Sequence, residues 1–313
     1  MHTTRMLLLF TFLSACSSPG DGSDPGRQDL STMPTDMAAP VDLAPGPGPR
    51  FDDGLHGQLT FGARVTPYGA VGVAGGEIYK APRPRFQREV ARQGDCRLLS
   101  YKPAFCDRCD GVCVADGVCQ PFGVRISAGV IDVSGTQPTL RMTTNPYLMY
   151  EPAAPVTPNV VPNAAQVRVT ASGAEFAAFS VTTSGVSALQ TSSLVNFEIT
   201  LKDSEDFTLR FTPEPVPGSR LRLTLNANNR GHGAPYQGII ECDVDDARGE
   251  VTIAKSLIAA FPSTYRWEIC AGSDCPLSTV TRYRRAIAET KTGAVAVDAT
   301  SAIHFFVLHN PPK

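Results

Sequence analysis

The distribution of cysteines constrains the fold of this chain more than any other feature of its sequence. Five cysteines lie between residues 96 and 119, and three more lie in the last third of the chain. The C-x2-C spacing of Cys106 and Cys109 is half of a common zinc site, but no second C-x2-C and no nearby histidine completes it. Whether these cysteines bind metal or form disulfides therefore depends on the compartment.

The N-terminal residues predict export. An apolar run, residues 6–13, is too short to span a bilayer as a helix and has the length of a signal-peptide core. It leads into the tetrapeptide LSAC, which ends at Cys16 and resembles the lipobox of bacterial lipoproteins. The resemblance implies that residues 1–15 are a signal peptide and that Cys16 carries a lipid anchor in the cell envelope; the alternative is an ordinary secretory signal. By the sorting rule of that family, Ser17 favours the outer membrane, with exposure at the cell surface as one orientation.

The composition of residues 16–50 predicts a stalk. Residues 17–50 contain seven prolines, five glycines and five aspartates, and no aromatic residue. Such a segment cannot bury enough apolar surface to offset the entropy of ordering it. We expect a disordered stalk between the lipidated cysteine and a folded region that starts near residue 51.

Export favours disulfides over metal, because thiols tend to pair in an oxidising compartment. The run CDGVCVADGVCQP also resembles small disulfide-rich modules of secreted proteins. With Cys16 lipidated, eight cysteines remain, namely Cys96, Cys106, Cys109, Cys113, Cys119, Cys242, Cys270 and Cys275. They form one group of five and one of three, so complete pairing requires at least one bridge between the groups. We expect Cys270–Cys275 to close a local loop and Cys242 to pair with Cys96, which would attach a cysteine-rich insert at about 94–122 to the rest of the fold.

Short stretches rich in β-branched and aromatic residues, separated by turn residues, predict an all-β fold. The clearest alternation is RLRLTL at residues 220–225, which places leucines on one face of a strand and polar groups on the other. We expect an antiparallel β-sandwich or jelly-roll-like domain over residues 51–313, with the disulfide-rich insert and one short helix, Ile253–Phe261. The predicted strands are 58–65, 71–80, 124–133, 165–170, 175–182, 194–201, 206–211, 220–226, 237–244, 265–270, 280–288 and 302–308.

The stretch IIECDVDDARGEVTIAKSLIAAF, residues 239–261, resembles a strand–acidic turn–strand–helix unit of uncharacterised surface lipoproteins of myxobacterial type. Those proteins also share an Asp/Pro-rich stalk and a cysteine-dense insert. The resemblance supports the architecture and the envelope location, and it implies no activity.

The acidic residues of this stretch are a candidate calcium site. Counted from Asp243, position five is Ala247 and position twelve is Ala254, so the oxygen ligands of a helix–loop–helix calcium loop are absent. An irregular calcium site formed by Asp243, Asp245, Asp246 and Glu250 with Gly249 is the alternative to a solvated acidic turn. The turn is favoured, and we expect no metal and no cofactor other than the lipid on Cys16.

No catalytic motif is present. The sequence has no H-E-x-x-H pair and no G-x-S-x-G elbow. His232 lies in a Gly/Asn-rich loop between two predicted strands, and we name Asn228, Asn229, Arg230 and His232 as a candidate binding loop. His304 lies in an apolar strand and is predicted to be a packed or edge residue. The glycines of residues 69–77 lack the context of a phosphate loop and are predicted to mark strand bulges.

Arginines form two groups in the sequence. One surrounds Phe86 and the other lies near residue 284; the members are Arg83, Arg85, Arg88, Arg92, Arg97, Arg282, Arg284 and Arg285. The net charge of −2 does not indicate nucleic-acid binding, and we expect these side chains to be solvated surface groups. An acidic polysaccharide is the alternative ligand for an envelope protein.

These features favour a non-enzymatic envelope or cell-surface lipoprotein with an adhesive, ligand-binding or structural role. Its partners would be the membrane, through the lipid, and a glycan or another envelope protein; nucleic acid is not expected. Two alternatives stay open. One is a secreted hydrolase or carbohydrate-active enzyme with an unrecognised site, and the other is a periplasmic assembly partner that binds other proteins through a sheet edge.

Overall fold

The alternating residues 220–225 form part of a strand whose leucines are buried on one face of a large sheet. A computed structural model describes residues 48–227, 235–264 and 277–311 of the chain. All of these residues belong to one compact unit. The predicted all-β class, the single short helix and the presence of disulfides are confirmed within this part of the chain.

The strands of the described residues range from four to seventeen residues in length, and the two last ones are the longest. They are β1 (Gly57–Thr66), β2 (Gly69–Ile78), β3 (Arg88–Gln93), β4 (Cys96–Ser100), β5 (Gly111–Ala115), β6 (Val118–Pro121), β7 (Ile131–Ser134), β8 (Leu140–Thr144), β9 (Met149–Pro152), β10 (Gln166–Ala171), β11 (Phe179–Ser184), β12 (Glu198–Leu201), β13 (Phe207–Arg210), β14 (Arg220–Asn226), β15 (Gly238–Asp245), β16 (Glu250–Ile253), β17 (Ser278–Thr290) and β18 (Gly293–His309). The helix is α1 (Lys255–Ala260), and Asp246–Arg248 form a 3-10 turn.

Fourteen strands form one sheet, and two further pairs stand apart from it. The order is β11-β10-β7-β8-β9-β2-β1-β18-β17-β14-β15-β4-β3, with β12 paired to β18. The separate pairs are β13 with β16 and β5 with β6. The sheet is mixed rather than wholly antiparallel as predicted, because β1 and β12 both pair with β18 in parallel. The parallel contact of β1 with β18 joins the two ends of the folded region.

The long hairpin of β17 and β18 connects two hydrophobic cores. Near one end of β18, Val295 and Val297 pack in a core with residues of β1, β2, β7, β8 and β10. Near the other end, Phe305 and Val307 pack in a second core with residues of β4, β14, β15, β16 and α1. The burial of apolar side chains in both cores is the main favourable term for folding.

The sheet folds back on itself, which gives the sandwich-like arrangement. The far strand β11 reaches β17, where Thr183 Oγ1 donates a hydrogen bond to the carbonyl oxygen of Arg284 at 2.9 Å. Arg284 Nη1 in turn donates to Ser184 Oγ at 3.0 Å. Side-chain contacts therefore close the first core on its open side.

The predicted helix is present, but it is shorter than residues 253–261. Ile253 ends β16, and the helix runs only over Lys255–Ala260 before Phe261 and Pro262. The backbone N–H of Lys255 donates to Asp206 Oδ1 at 2.7 Å, which satisfies one of the free donors of the first turn. Among the described residues, no helix is long and apolar enough to cross a membrane.

Several strands differ from the prediction. β3, β4, β5, β6, β8 and β9 were not predicted, because they are four to six residues long and several are rich in charged residues or cysteine. The predicted strand 124–133 is largely a loop, and only Ile131–Ser134 is a strand. Gly129 interrupts the extended chain with a φ of 79°, a left-handed conformation that favours glycine.

The glycines of β2 do not mark bulges, contrary to the prediction. β2 pairs with β1 in an unbroken register from Gly57–Ile78 to Thr66–Gly69. A Cβ atom on Gly75 would collide with the carbonyl oxygen of Tyr150, and one on Gly76 would collide with that of Gln58. Glycine is required here because neighbouring strands approach the backbone closely.

The described residues contain three disulfides, and they correct the predicted insert. Cys96 pairs with Cys242, which is the predicted bridge between the two groups of cysteines. Cys96 lies on β4, which is itself part of the main sheet beside β15, so this bridge joins two adjacent strands and does not attach an insert. The disulfide-rich module is smaller than 94–122: the pairs Cys106–Cys113 and Cys109–Cys119 interleave within 106–119 around the hairpin of β5 and β6.

Candidate functional site

The face of the sheet opposite the leucines of β14 carries charged side chains. Arg222 on β14 and Asp243 on β15 are register partners, and Asp243 is fully buried. Arg220 Nε donates to Asp243 Oδ1 at 2.6 Å, and the Tyr283 hydroxyl donates to Oδ2. Arg222 Nη2 lies 3.3 Å from the same Oδ2. The carboxylate of Asp243 is therefore surrounded by donors from two other strands.

Ion pairs continue along β17 and β18 on this face. Arg285 Nη2 lies 2.6 Å from Asp298 Oδ2, and both side chains are buried. Burial alone would lower the pKa of Arg285, but the charges of Asp298 and Asp52 raise it above its usual range. Burial would likewise raise the pKa of Asp52, whereas Arg222 and Arg285 hold it far below the usual value. These groups are charged at neutral pH, and each has a partner of opposite charge.

A second buried cluster surrounds Arg282 of β17. Its Nε donates to Asp246 Oδ1 at 3.1 Å, and its Nη1 donates to Ser187 Oγ at 3.0 Å. Glu214 lies nearby, with Oε2 3.8 Å from Arg282 Nη1 and within hydrogen-bond distance of Ser187. One arginine thus compensates two buried carboxylates.

The prediction that the acidic turn is solvated is wrong for two of its aspartates. Asp243 and Asp246 are buried and paired with arginines, and of the three aspartates in the turn Asp245 alone is exposed. The Oδ1 of Asp245 accepts from Ala247 N, which caps the 3-10 turn. Within the described ranges, no group of three or more His, Cys, Asp or Glu side chains could hold a metal ion.

The prediction that the two groups of arginines are solvated is also partly wrong. Arg88 and Arg92 are exposed, as expected, but Arg97 and Arg282 are buried. Arg97 does not lie in a cluster around Phe86. Its guanidinium donates to Glu241 at 2.7 Å and lies 3.6 Å from the centroid of the Phe51 ring. Neutralisation by carboxylates distant in sequence explains how these charges can be buried.

A groove lies on the polar side of the sheet and has a volume of about 900 Å³. Its floor is formed by β1 and β2, including the glycine backbone at the end of β2. Its walls come from the segment 79–87 after β2, from β9, and from residues 235–241. One end is bounded by Asp52, Asp53 and Leu55, which precede β1. We call this cavity the polar groove.

Glu77 in the wall of the polar groove is paired with two arginines. Glu77 Oε2 accepts from Arg125 Nε at 2.6 Å, and Glu77 Oε1 lies 3.4 Å from Arg83. Burial would raise the pKa of Glu77, but hydrogen bonds from Tyr79 and Arg125 and the charge of Arg83 lower it. Burial and the bond with Glu77 raise the pKa of Tyr79. Glu77 is therefore an anion held in place and not a proton donor at neutral pH.

The same wall presents aromatic and amide groups. Phe86 packs edge-on against Phe122, with 5.9 Å between the ring centroids. Gln87 Nε2 donates to the carbonyl oxygen of Tyr236 at 3.3 Å, which joins two walls of the groove. Burial raises the pKa of Tyr236, which lines the groove beside Gln87.

Several predicted site residues lie outside the described ranges. They are Cys16, Asn228, Asn229, Arg230, His232, Cys270 and Cys275, together with the stalk up to residue 47 and the predicted strand 265–270. In the sequence, the candidate loop 228–232 lies three residues before Pro235, which lines the polar groove together with Tyr236. The predictions for these residues stay predictions.

The described histidines do not join the groove. His304 is half-buried on β18, and burial together with the positive charge of Arg64 lowers its pKa to about 4. His309 is buried, with Nε2 2.7 Å from Asp203 and Nδ1 3.1 Å from the carbonyl oxygen of Pro262. Burial lowers the pKa of His56. These side chains are packed structural groups, as expected for His304.

The sequence indicated an arginine group around Phe86, with an acidic polysaccharide as its alternative ligand, but it did not predict a groove. Tyr79, Arg83, Arg85 and Phe86 lie in the segment YKAPRPRFQ, where prolines and aromatic residues alternate with cations directly after a strand. That composition is a signal for an ordered loop with exposed ring and guanidinium groups. Its relation to Tyr236 and Gln58 could not be read from the sequence, because it depends on the strand order.

The fold and the groove define a disulfide-containing all-β protein with a neutralised polar face. The sequence matches no protein-family model and shows no significant similarity to any curated protein sequence.

Proposed function

We propose that this chain is a lipid-anchored protein of the bacterial cell envelope whose folded region binds an oligosaccharide in the polar groove without chemical turnover. The lipobox-like LSAC at Cys16 and the Pro/Gly/Asp-rich segment after it support the anchor, with the outer membrane as its place and display at the cell surface. The protein would thus hold a glycan close to the membrane that carries it.

The polar groove is the observation that carries the binding role. Its lining combines the aromatic rings of Tyr79, Phe86 and Tyr236 with the amides of Gln58 and Gln87. Sugars present apolar C–H faces and a dense set of hydroxyls, so rings and amides together suit them. Binding sites commonly combine apolar surface with a few polar groups that fix orientation.

The electrostatics of the groove support recognition of a neutral ligand rather than hydrolysis. Glu77, Asp53 and Glu241 each pair with an arginine. A glycosidase needs a carboxylic acid whose pKa is raised so that it can donate a proton. The pKa values of Glu77 and Asp53 are instead lowered, since their arginine partners and hydrogen bonds outweigh burial.

Removing two of the groove aromatics should weaken glycan binding strongly. We expect a soluble form that begins at residue 17 to bind one glycan class on an array. The double variant Phe86→Ala/Tyr236→Ala should bind that glycan at least roughly tenfold more weakly, because buried aromatic anchors dominate binding energy. Titration calorimetry with the selected glycan would measure the change.

Tyr147→Ala is the matched control for this variant. Tyr147 is 73% exposed on the turn between β8 and β9 and does not line the groove. Its loss should leave the affinity unchanged. No glycan binding, or an equal effect of Tyr147→Ala, would contradict the binding role. Turnover of the glycan, lost in the double variant, would favour a carbohydrate-active enzyme.

Replacement of Cys16 tests the anchor separately. In Cys16→Ala we expect no incorporation of labelled fatty acid and release of the protein from the membrane fraction, because the thiol that receives the lipid is absent. The double variant Cys109→Ala/Cys119→Ala removes two other cysteines and should keep its label. A Cys16→Ala protein that remained labelled, and remained with the membrane in high salt, would show that the lipobox interpretation is wrong.

A further inference from the structure

The six residues before Gly54 lie against the polar face of the sheet. We call residues 48–53 the N-terminal strap. The composition predicts that a stalk extends to residue 50, yet Gly48 and Arg50 already make hydrogen bonds to the sheet. The contact begins nine residues before the start of β1 at Gly57 and is therefore not part of strand pairing.

The two carboxylates of the strap each lie between two arginines. Asp52 Oδ2 lies 2.5 Å from Arg222 Nη1, and Asp52 Oδ1 contacts Arg285. Asp53 Oδ2 lies 2.5 Å from Arg97 Nη1, and Asp53 Oδ1 lies 2.7 Å from Arg85 Nη2. Charge-assisted bonds of this kind are stronger than neutral hydrogen bonds, and paired donors add geometric specificity.

The aromatic residue of the strap is also recognised. The guanidinium carbon of Arg97 lies 3.6 Å from the ring centroid of Phe51, and that of Arg92 lies 5.2 Å from it. The Arg97 side chain is only 3% exposed, so this cation–π contact is largely shielded from water. A partly desolvated contact of this type is worth more than an exposed one.

The backbone of the strap is held at three points. The Arg50 N–H donates to Asp243 Oδ1 at 3.1 Å, and the Arg50 carbonyl oxygen accepts from Arg222 Nη2 at 2.5 Å. The Gly48 carbonyl oxygen accepts from Arg220 Nη2 at 2.9 Å. Together with the side-chain contacts, these bonds spread the strap over four strands, namely β4, β14, β15 and β17.

We propose that the polar face of the sheet is a binding site for an extended segment in which an aromatic residue is followed by two carboxylates. Residues 48–53 of the same chain occupy this site. A mechanical load on the N-terminal tether therefore enters the fold through the strap. The load-bearing role rests on the proposed lipid anchor. Asp52 and Asp53 also line the polar groove, so a bound ligand and the tether attach to the same part of the sheet. Force between them would pass through the ion pairs around Asp52 and not through the two cores.

Limited proteolysis tests the occupancy of the site. Trypsin cleaves after arginine in a freely extended segment, and the Arg50–Phe51 bond lies inside the strap. In the full-length protein we expect this bond to resist trypsin. In the triple variant Phe51→Ala/Asp52→Ser/Asp53→Ser it should be cut at least roughly tenfold faster, as followed by intact mass. The control is Asp132→Ser. The exposed carboxylate of Asp132 on β7 pairs with Arg141 on β8, and neither strand is one of the four that hold the strap.

Single-molecule pulling on the N- and C-terminal ends of the full chain tests the load path. We expect no extension of the wild-type strap before the sheet unfolds, whereas the triple variant should lengthen early by roughly 2 nm, the reach of about six residues. If the triple variant does not fold, Phe51→Ala alone should raise the tryptic rate. Equal cleavage at Arg50 in wild type and variants, or early release of the wild-type strap, would overturn the proposal. Neither measurement depends on lipidation, so failure of the anchor at Cys16 would appear separately.

Discussion

Replacing Arg282 by methionine should destabilise the protein by about 3–5 kcal/mol, the usual cost of removing one partner from a buried ion pair. Arg282 is only 2% exposed on β17, and its Nε lies 3.1 Å from Asp246 Oδ1. Methionine fills part of the space but leaves Asp246 and Glu214 without a positive charge. Glu214 already lacks a partner for its Oε1 among the described residues, so water or a proton would have to compensate both carboxylates.

The matched control is Arg210→Met. Arg210 also lies on a strand and pairs with a glutamate, with Nη1 2.6 Å from Glu250 Oε2, but the two side chains are 69% and 42% exposed. Exposed pairs contribute between zero and about 1 kcal/mol. Urea unfolding of both variants would measure the difference in the free energy of unfolding. An equal cost at the two sites would mean that Arg282 does not neutralise the buried carboxylates. Should Arg282→Met fail to fold, Arg282→Lys keeps the charge without the planar fork and should show a smaller loss.

The sequence was sufficient for the elements whose pattern is local. The alternation at residues 220–225 predicted β14, and the apolar run before Pro262 predicted α1, because each depends on neighbours within a few positions. A bridge between the two cysteine groups was also predicted, since each group has an odd number of cysteines. Cys96 was the expected partner of Cys242 because it stands furthest in sequence from the other cysteines of its group, and the structure pairs these two. Neither argument uses knowledge of the strand order.

The charged residues could not be placed in this way. The alternation in RLRLTL predicted a polar face for this strand, but it did not indicate what covers that face. In the fold, Arg222 meets Asp243 across β14 and β15, and the N-terminal strap covers both. No local pattern signals that a segment from the other end of the domain will cover a polar face. The same reason explains why the groove was missed, since its walls meet only once β1, β2 and β15 have their places in the structure.

Loss of the Cys96–Cys242 disulfide should have a destabilising effect at least as large as that of Arg282→Met. The bridge closes a loop with a sequence separation of 146 residues. In the chain-entropy model such a loop is worth about 5 kcal/mol, because the bridge removes conformations from the unfolded chain. Both sulfurs also lie in the second hydrophobic core beside Leu98, Leu223 and Ile240, so replacement removes buried contacts as well. We expect the double variant Cys96→Ala/Cys242→Ala to unfold at a far lower urea concentration than the wild type.

The double variant Cys106→Ala/Cys113→Ala separates the loop effect from the loss of two sulfurs. Its bridge spans only 7 residues, for which the same model gives about 2 kcal/mol, and it lies in the small module outside the main sheet. Double variants are required because a single one leaves a free thiol that can exchange with other disulfides. Urea unfolding monitored by tryptophan fluorescence and by circular dichroism would also show whether the sheet unfolds in one transition. If the two double variants lost equal stability, the long loop would contribute nothing. The backbone hydrogen bonds, the Arg97–Glu241 pair and the apolar packing of Leu98 would then hold β4 beside β15.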